Sequence, residues 1–263
     1  MESHPVLNRL ALLLTLVASV PTQGVGASPG VAQTGLSKRQ STVTRYCDNT
    51  QTPGLCYMES WHSVMPPPAS IQPSTLVVRI AVPDGVSQGS PFQTVLQMVM
   101  PSYVKWAGFA WGGSMLNNPL MVFWWYNQTQ PMVSSRWTST RVSPGVYNDA
   151  TYRILHTSQN ASHWTAEVVC SGCSHWNGTS LKYNDSNAFK WALGVFDVVN
   201  PESLDTKTSY HNKVGVFSGN LSLARVPSDV FKKHIGEGGS PTPTPTTSWR
   251  VFPTFVPYPT SSP

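Results

Sequence analysis

Few residues in this chain combine type and spacing in a way that points to chemistry. Cys170-Ser-Gly-Cys173-Ser-His175 comes close to Cys-x-x-Cys-His, the motif of covalent haem attachment, but Ser174 separates the histidine from the second cysteine. A haem held here is therefore not attached through these thiols. A structural zinc needs four ligands at matching spacing, and Cys47 and Cys56 extend the pair only loosely. The chain carries no His-Glu-x-x-His, no Gly-x-Ser-x-Gly, no glycine-rich phosphate loop and no dinucleotide fingerprint, so nothing speaks for a zinc peptidase, a serine hydrolase or a nucleotide enzyme. Met115 is more informative. It follows Gly112-Gly113 in a loop between two hydrophobic runs, where the glycines permit a sharp turn or a close backbone approach. A thioether there is eligible as a soft axial ligand to iron, although methionine more often fills gaps in a core. A histidine partner is left open by spacing alone.

The elements that must position Met115 are strands. Leu76, Val78, Ile80 and Val82 alternate onto one face, as do Phe92, Leu96, Met98 and Met100, with Gln93 and Gln97 opposite. Trp164, Ala166, Val168 and Cys170 repeat the pattern, and Val214–Leu223 reads as a last strand. The run from Pro119 to Tyr126 is apolar on both faces, as a central strand would be. No long stretch has a helical period, and 23 prolines and 19 glycines punctuate the chain. Short strands separated by turn signals predict an all-β fold, an immunoglobulin-like antiparallel β-sandwich.

The flanks read differently. Arg9 precedes an apolar run from Leu10 to Val20, too short for a bilayer core of roughly 30 Å. Residues 1–27 are expected to be a signal peptide ending at Val25-Gly26-Ala27. Residues 28–39 form a possible propeptide ending at the dibasic pair Lys38-Arg39. Removing both leaves 14 basic and 11 acidic residues. That mild surplus has no cluster beyond Lys232-Lys233 and gives no nucleic-acid footprint. No second apolar stretch reaches membrane length, and no lipid-anchor tail is present. Secretion places the cysteines in an oxidising compartment, so two disulfides are expected, Cys47 with Cys56 and Cys170 with Cys173. Asn127, Asn160, Asn177, Asn184 and Asn220 each open an Asn-x-Ser/Thr sequon, expected to be glycosylated. Residues 40–226 form the expected domain, and 227–263 a Gly/Pro/Thr/Ser-rich linker and tail. In that tail Trp249, Phe252, Phe255 and Tyr258 recur every third residue, which puts them on one face of a polyproline II helix and suggests stacking on polysaccharide. The composition favours a disordered tail in which this spacing is chance.

Several motifs in one order resemble the cytochrome domain of cellobiose dehydrogenase. Gly112-Gly-Ser-Met-Leu-Asn-Asn-Pro-Leu120 is similar to that family's ligand loop, and Val133-Ser-Ser-Arg-Trp137 to its next strand. Asn160-Ala-Ser-His-Trp164, Cys170-Ser-Gly-Cys173 and Trp176 resemble its glycosylated strand and short disulfide. Lys190-Trp-Ala-Leu193 fits the following strand, and Ser209-Tyr-His-Asn-Lys-Val-Gly-Val-Phe217 the segment with the histidine ligand. The resemblance spans residues 45–226. It implies a haem b held by Met115 and His211, with His163 structural. One departure stands out: Arg136-Trp-Thr-Ser-Thr-Arg141 ends in arginine where the family has a tyrosine that contacts a haem propionate. A guanidinium pairs bidentately with a carboxylate, so Arg141 is expected to replace that contact.

Methionine and histidine together fill both axial positions of a haem iron and are associated with electron transfer. The resemblance therefore implies a secreted one-electron carrier rather than an enzyme. It also implies redox partner proteins, a copper polysaccharide monooxygenase as acceptor and a flavin dehydrogenase as donor. That dehydrogenase domain is not found in this chain. Two alternatives remain at this level: a haem-free carbohydrate-binding module, since sandwiches host many functions, and an extracellular ferric reductase using the same haem.

Overall fold

The alternating runs become strands whose apolar faces meet across a sandwich. A computed structural model describes residues 42–64, 75–127 and 129–237. The expected signal peptide, the propeptide and the four spaced tail aromatics lie outside the described residues. In chain order the strands are β1 (Val43–Asp48), β2 (Leu55–Ser63), β3 (Thr75–Pro83), β4 (Thr94–Pro101) and β5 (Trp106–Ala110). Then come β6 (Leu120–Tyr126), β7 (Gln130–Trp137), β8 (Gly145–Val146), β9 (Thr151–Gln159) and β10 (His163–Ser171). The last are β11 (His175–Trp176), β12 (Thr179–Ser180), β13 (Ser186–Gly194), β14 (Lys213–Asn220) and β15 (Arg225–Val226), followed by the helix α1 (Ser228–His234).

One sheet runs β1-β2-β3-β4-β10-β9, with β15 added on β3 as a short parallel pair. The other runs β14-β13-β5-β6-β7-β8, and its ladders are antiparallel. The inner faces supply one core: Met58, Ile80, Leu96 and Val168 from the first sheet meet Phe109, Phe123, Phe189 and Trp191 from the second. This is the antiparallel β-sandwich that the alternation predicts. The run from Pro119 holds as the central strand β6, between β5 and β7. The last long strand is shorter than expected, because Leu221–Ala224 turns into a 3-10 helix capped by the Asn220 side chain. Both expected disulfides are present, Cys47–Cys56 directly across the β1/β2 ladder and Cys170–Cys173 at the end of β10.

The folded chain continues past residue 226. Phe231 and Ile235, four residues apart on α1 and its C-cap, are buried with Leu55, Tyr57, Ala81, Val95 and Val169 on the outer face of the first sheet. Beneath them the same face carries a polar row. Arg79 bridges Glu59 and Gln97, at 2.7 and 2.6 Å. Glu167 accepts from the Tyr57 hydroxyl at 2.6 Å and from Gln97 Nε2 at 3.4 Å. Gln97, which the pattern turns away from the core, is thus buried on this second face.

Candidate functional site

Met115 lies in the loop joining β5 to β6. That loop is closed on itself: Asn118 Nδ2 donates to the carbonyls of Ser114 and Leu116, at 3.1 and 2.7 Å, and Ser114 Oγ accepts from the Leu116 N–H at 3.1 Å. It is also tied outward. Asn117 N donates to Thr138 O at 2.9 Å, and Trp176 Nε1 donates to Asn117 O at 3.1 Å. The glycines have different reasons. A Cβ on Gly112 would sit 1.7 Å from Asn118 Oδ1. Gly113 has φ +74° and would put a Cβ 2.6 Å from that of Ala188 on β13. Only glycine lets the loop lie this close to β13. Met115 itself is half-buried.

His211 ends the long connection from β13 to β14. Asn212 fixes it there: its N–H donates to Leu193 O at 2.8 Å, and its Oδ1 accepts from the Val195 N–H at 2.9 Å. The rest of the connection lies across the outer face of the second sheet. Trp124 Nε1 donates to Pro201 O at 2.8 Å, Trp106 Nε1 to Ser209 Oγ at 3.0 Å, and Ser134 Oγ to Leu204 O at 2.7 Å. The principal anchor is Arg136. Its guanidinium is buried and gives Nη2 to Leu204 O and Thr206 O, at 2.6 and 2.8 Å, and Nη1 to Pro144 O at 2.9 Å. Burial lowers the Arg136 pKa, an effect that Asp205 opposes. The His211 ring touches that of Tyr210, with centroids 4.3 Å apart.

Met115 and His211 therefore belong to opposite ends of one stretch of sheet. The Met115 loop abuts Ala188, and His211 sits beside Leu193. Five residues of β13 separate those two positions, roughly 17 Å of extended strand. The surface between them is a shelf. Phe189, Trp191 and Leu193 point into the core, so Ala188, Lys190 and Ala192 point out. Across the ladders they are flanked by Val214 and Val216 on β14 and by Gly108 and Ala110 on β5. Toward β6 and β7 this face is covered by the Val195–Asn212 connection, but toward β14 it is open. Val216 is 57% exposed and Tyr210 84% exposed. Small side chains on a sheet face, with apolar neighbours left in water, form a bed for an apolar ligand.

The other sequence candidates distribute as follows. Arg141 is exposed on the loop after β7, close in sequence to Thr138, which holds the Met115 loop. His163 lies in the other sheet, at the β9–β10 turn, with its Nδ1 3.0 Å from Ser162 Oγ. His62 is in the core against Trp191 and Phe217, and burial pushes its pKa down to about 4. His234 is beside Glu167 at 3.3 Å. The five sequon asparagines sit at turns or strand ends and none on the shelf; Asn127, Asn160, Asn177 and Asn184 are exposed and Asn220 is half-buried. Of the tryptophans near Met115, Trp111 belongs to the core between the sheets, while Trp106 and Trp124 are on the outer face. A cleft of about 370 Å³ lies between the Met115 loop and the β11–β12 hairpin, touching the shelf at Ala188 and Ser218. Among the described residues no three His, Cys, Asp or Glu side chains are grouped as a metal site.

Sequence reasoning missed the shelf and Arg136. The period of two in Ala188, Lys190 and Ala192 and in Val214 and Val216 was the available signal for the shelf. Nothing local marks the anchoring role of Arg136, whose partners Leu204 and Thr206 lie about seventy residues away.

The comparisons agree with this architecture. The family model for the cytochrome domain of cellobiose dehydrogenase matches residues 46–229. A pyrroloquinoline quinone-dependent pyranose dehydrogenase of Coprinopsis cinerea is 33% identical over 96 residues, 35% of this chain and 13% of that enzyme. The chain thus corresponds to a small part of that relative's length. Among solved structures, the cytochrome b domain of pyranose dehydrogenase from Coprinopsis cinerea superposes with a TM-score of 0.61 at 20% identity, covering 76% of this chain and 98% of that one. The cytochrome domain of Myriococcum thermophilum cellobiose dehydrogenase gives 0.61 at 18% identity, covering 77% and 99%.

Proposed function

The chain belongs to the family of cellobiose dehydrogenase cytochrome domains, and from that premise we propose that it binds one haem b on the shelf between Met115 and His211 and carries single electrons outside the cell. The observation that carries this reading is the placement of the two segments. The loop bearing Met115 and the segment bearing His211 abut the two ends of an open, largely apolar bed, each tied down by part-buried or buried hydrogen bonds. The residues fit the group. Ala188 and Ala192 add little bulk to the open part of the bed, and the exposed Val214 and Val216 supply apolar contact, while Gly108 and Ala110 beside them are already covered. When bound, the haem supplies a one-electron iron couple whose potential methionine–histidine ligation raises.

This chain's own residues do the rest. Asn118 and Trp176 hold the Met115 loop, while Asn212 and Arg136 hold the segment bearing His211. Rigid ligand loops keep reorganisation on electron transfer small, since little must move when charge changes. Arg141, exposed three residues after the Thr138 that holds the Met115 loop, pairs with a propionate. Secretion, glycosylation at the five sequons and service to a copper polysaccharide monooxygenase, with a flavin dehydrogenase or small reductant as donor, belong to the same proposal.

The test is an absorption spectrum of the purified protein, oxidised and reduced, with and without carbon monoxide. A six-coordinate low-spin spectrum that ignores carbon monoxide is expected. A high-spin haem, or no Soret band after incubation with haemin, overturns the reading and leaves a haem-free binding module. Oxidation rates with Fe³⁺ and with a copper monooxygenase then separate a ferric reductase from a monooxygenase partner.

A further inference from the structure

Lys190 is out of place on the shelf. Strand alternation turns it outward between Ala188 and Ala192, and the ladders set it level with Val216 on one side and Ala110 on the other. It is half-buried. Among the described residues it makes no side-chain hydrogen bond and no ion pair. The other lysines and arginines in that position, Arg141, Lys207, Lys213, Lys232 and Lys233, are exposed. No acidic residue faces Lys190 from the neighbouring strands. The outward positions around it on β5, β6 and β14 are Gly108, Ala110, Leu120, Val214, Val216 and Ser218. The nearby connection has Asp197 engaged with Lys105, Asp205 facing Arg136, and Glu202, which makes no ion pair with Lys190.

A cation among methyl groups is unfavourable unless an anion joins it. A ligand set between the Met115 loop and the His211 segment would bury Lys190 further, which is tolerable only if that ligand brings the negative charge. We propose that Lys190 is the counter-ion for a carboxylate carried by the shelf ligand, a propionate of the haem. This rests on the reading given above. It makes Lys190 a binding residue distinct from Arg141, which lies on another loop, after β7. The competing outcome is that the lysine stem merely lies over apolar surface while its ammonium stays in water.

The experiment follows haem transfer from the full secreted protein to excess apomyoglobin, for wild type, Lys190→Ala, Lys190→Glu and Lys190→Arg. Loss of one charge-assisted hydrogen bond corresponds to about tenfold. Lys190→Ala is expected to release haem about tenfold faster and Lys190→Glu faster still, with Lys190→Arg close to wild type and all spectra low-spin. Loading with haem dimethyl ester, whose carboxylates are blocked, should erase the difference between wild type and Lys190→Ala. Equal release by wild type, Lys190→Ala and Lys190→Glu would overturn the counter-ion role while leaving haem binding intact. A wild type that takes up no haem defeats both readings.

Discussion

Arg136 donates from Nη2 to the carbonyl oxygen of Thr206, at 2.8 Å, linking β7 to the connection that ends at His211. Two residues further along, Thr138 accepts from Asn117 in the Met115 loop. Both ends of the shelf are thus referenced to one strand. Lysine cannot reach three carbonyls with one ammonium in the same geometry. Arg136→Lys is expected to cost about 2 kcal/mol in urea unfolding. It should also speed amide exchange across residues 195–212 while leaving β2–β4 protected. Unchanged exchange in that segment would show that the connection is held by something else.

The two proposed ligand positions make a paired prediction. Under the proposed haem ligation, Met115→Ala and His211→Ala should each give a haem protein that binds carbon monoxide where wild type does not. His163→Ala should not, since its ring is engaged with Ser162 at a turn of the other sheet. A carbon monoxide complex in His163→Ala but not in His211→Ala would reassign the ligand.

His62 gives a pH dependence with a defined sign. Burial holds its pKa at about 4, against 6.5 for the free side chain. Between those values the unfolded chain binds a proton that the folded chain refuses. Stability is therefore complete above pH 6.5 and falls as the pH drops toward 4. The slope is below about 1.4 kcal/mol per unit, because the site is not sealed from solvent. His62→Phe, filling the space between Trp191 and Phe217, should flatten that part of the curve. Urea midpoints at pH 7, 5.5 and 4.5 for both proteins check it.

Tyr57 and Glu167 test the second buried layer. The phenol donates to the carboxylate at 2.6 Å, and burial, followed by the Glu167 charge and this hydrogen bond, raises the Tyr57 pKa. Tyr57→Phe strips a buried acceptor of its best donor and should cost about 2 kcal/mol. Glu167→Gln keeps an oxygen for the phenol and should cost less. If the two variants unfold at the same urea concentration, the hydrogen bond is not what holds this layer.

Much of the sandwich was legible because its strands are half-buried and alternate. Ile80, Leu96 and Val168 meet in the core as their spacing requires. Met115 was legible through its glycines, since a loop that must press against Ala188 leaves Gly113 no substitute. The shelf was not, because Lys190 reads as an ordinary polar residue until the ladder shows alanines and valines around it. Nor was α1: Phe231 and Ile235 fall in a stretch whose composition belongs to the linker, and their burial depends on a hydrophobic face presented by β2, β3, β4 and β10. The position of His211 came from ordered motifs rather than from periodicity, since a long irregular connection has no period to read.

The helix α1 also decides how the chain departs. It is packed on the outer face of the first sheet, and Glu237 there accepts from Gln93. The shelf is on the outer face of the second sheet. The described chain therefore ends at the back of the molecule, and a partner that docks on the shelf approaches from the side opposite residue 237.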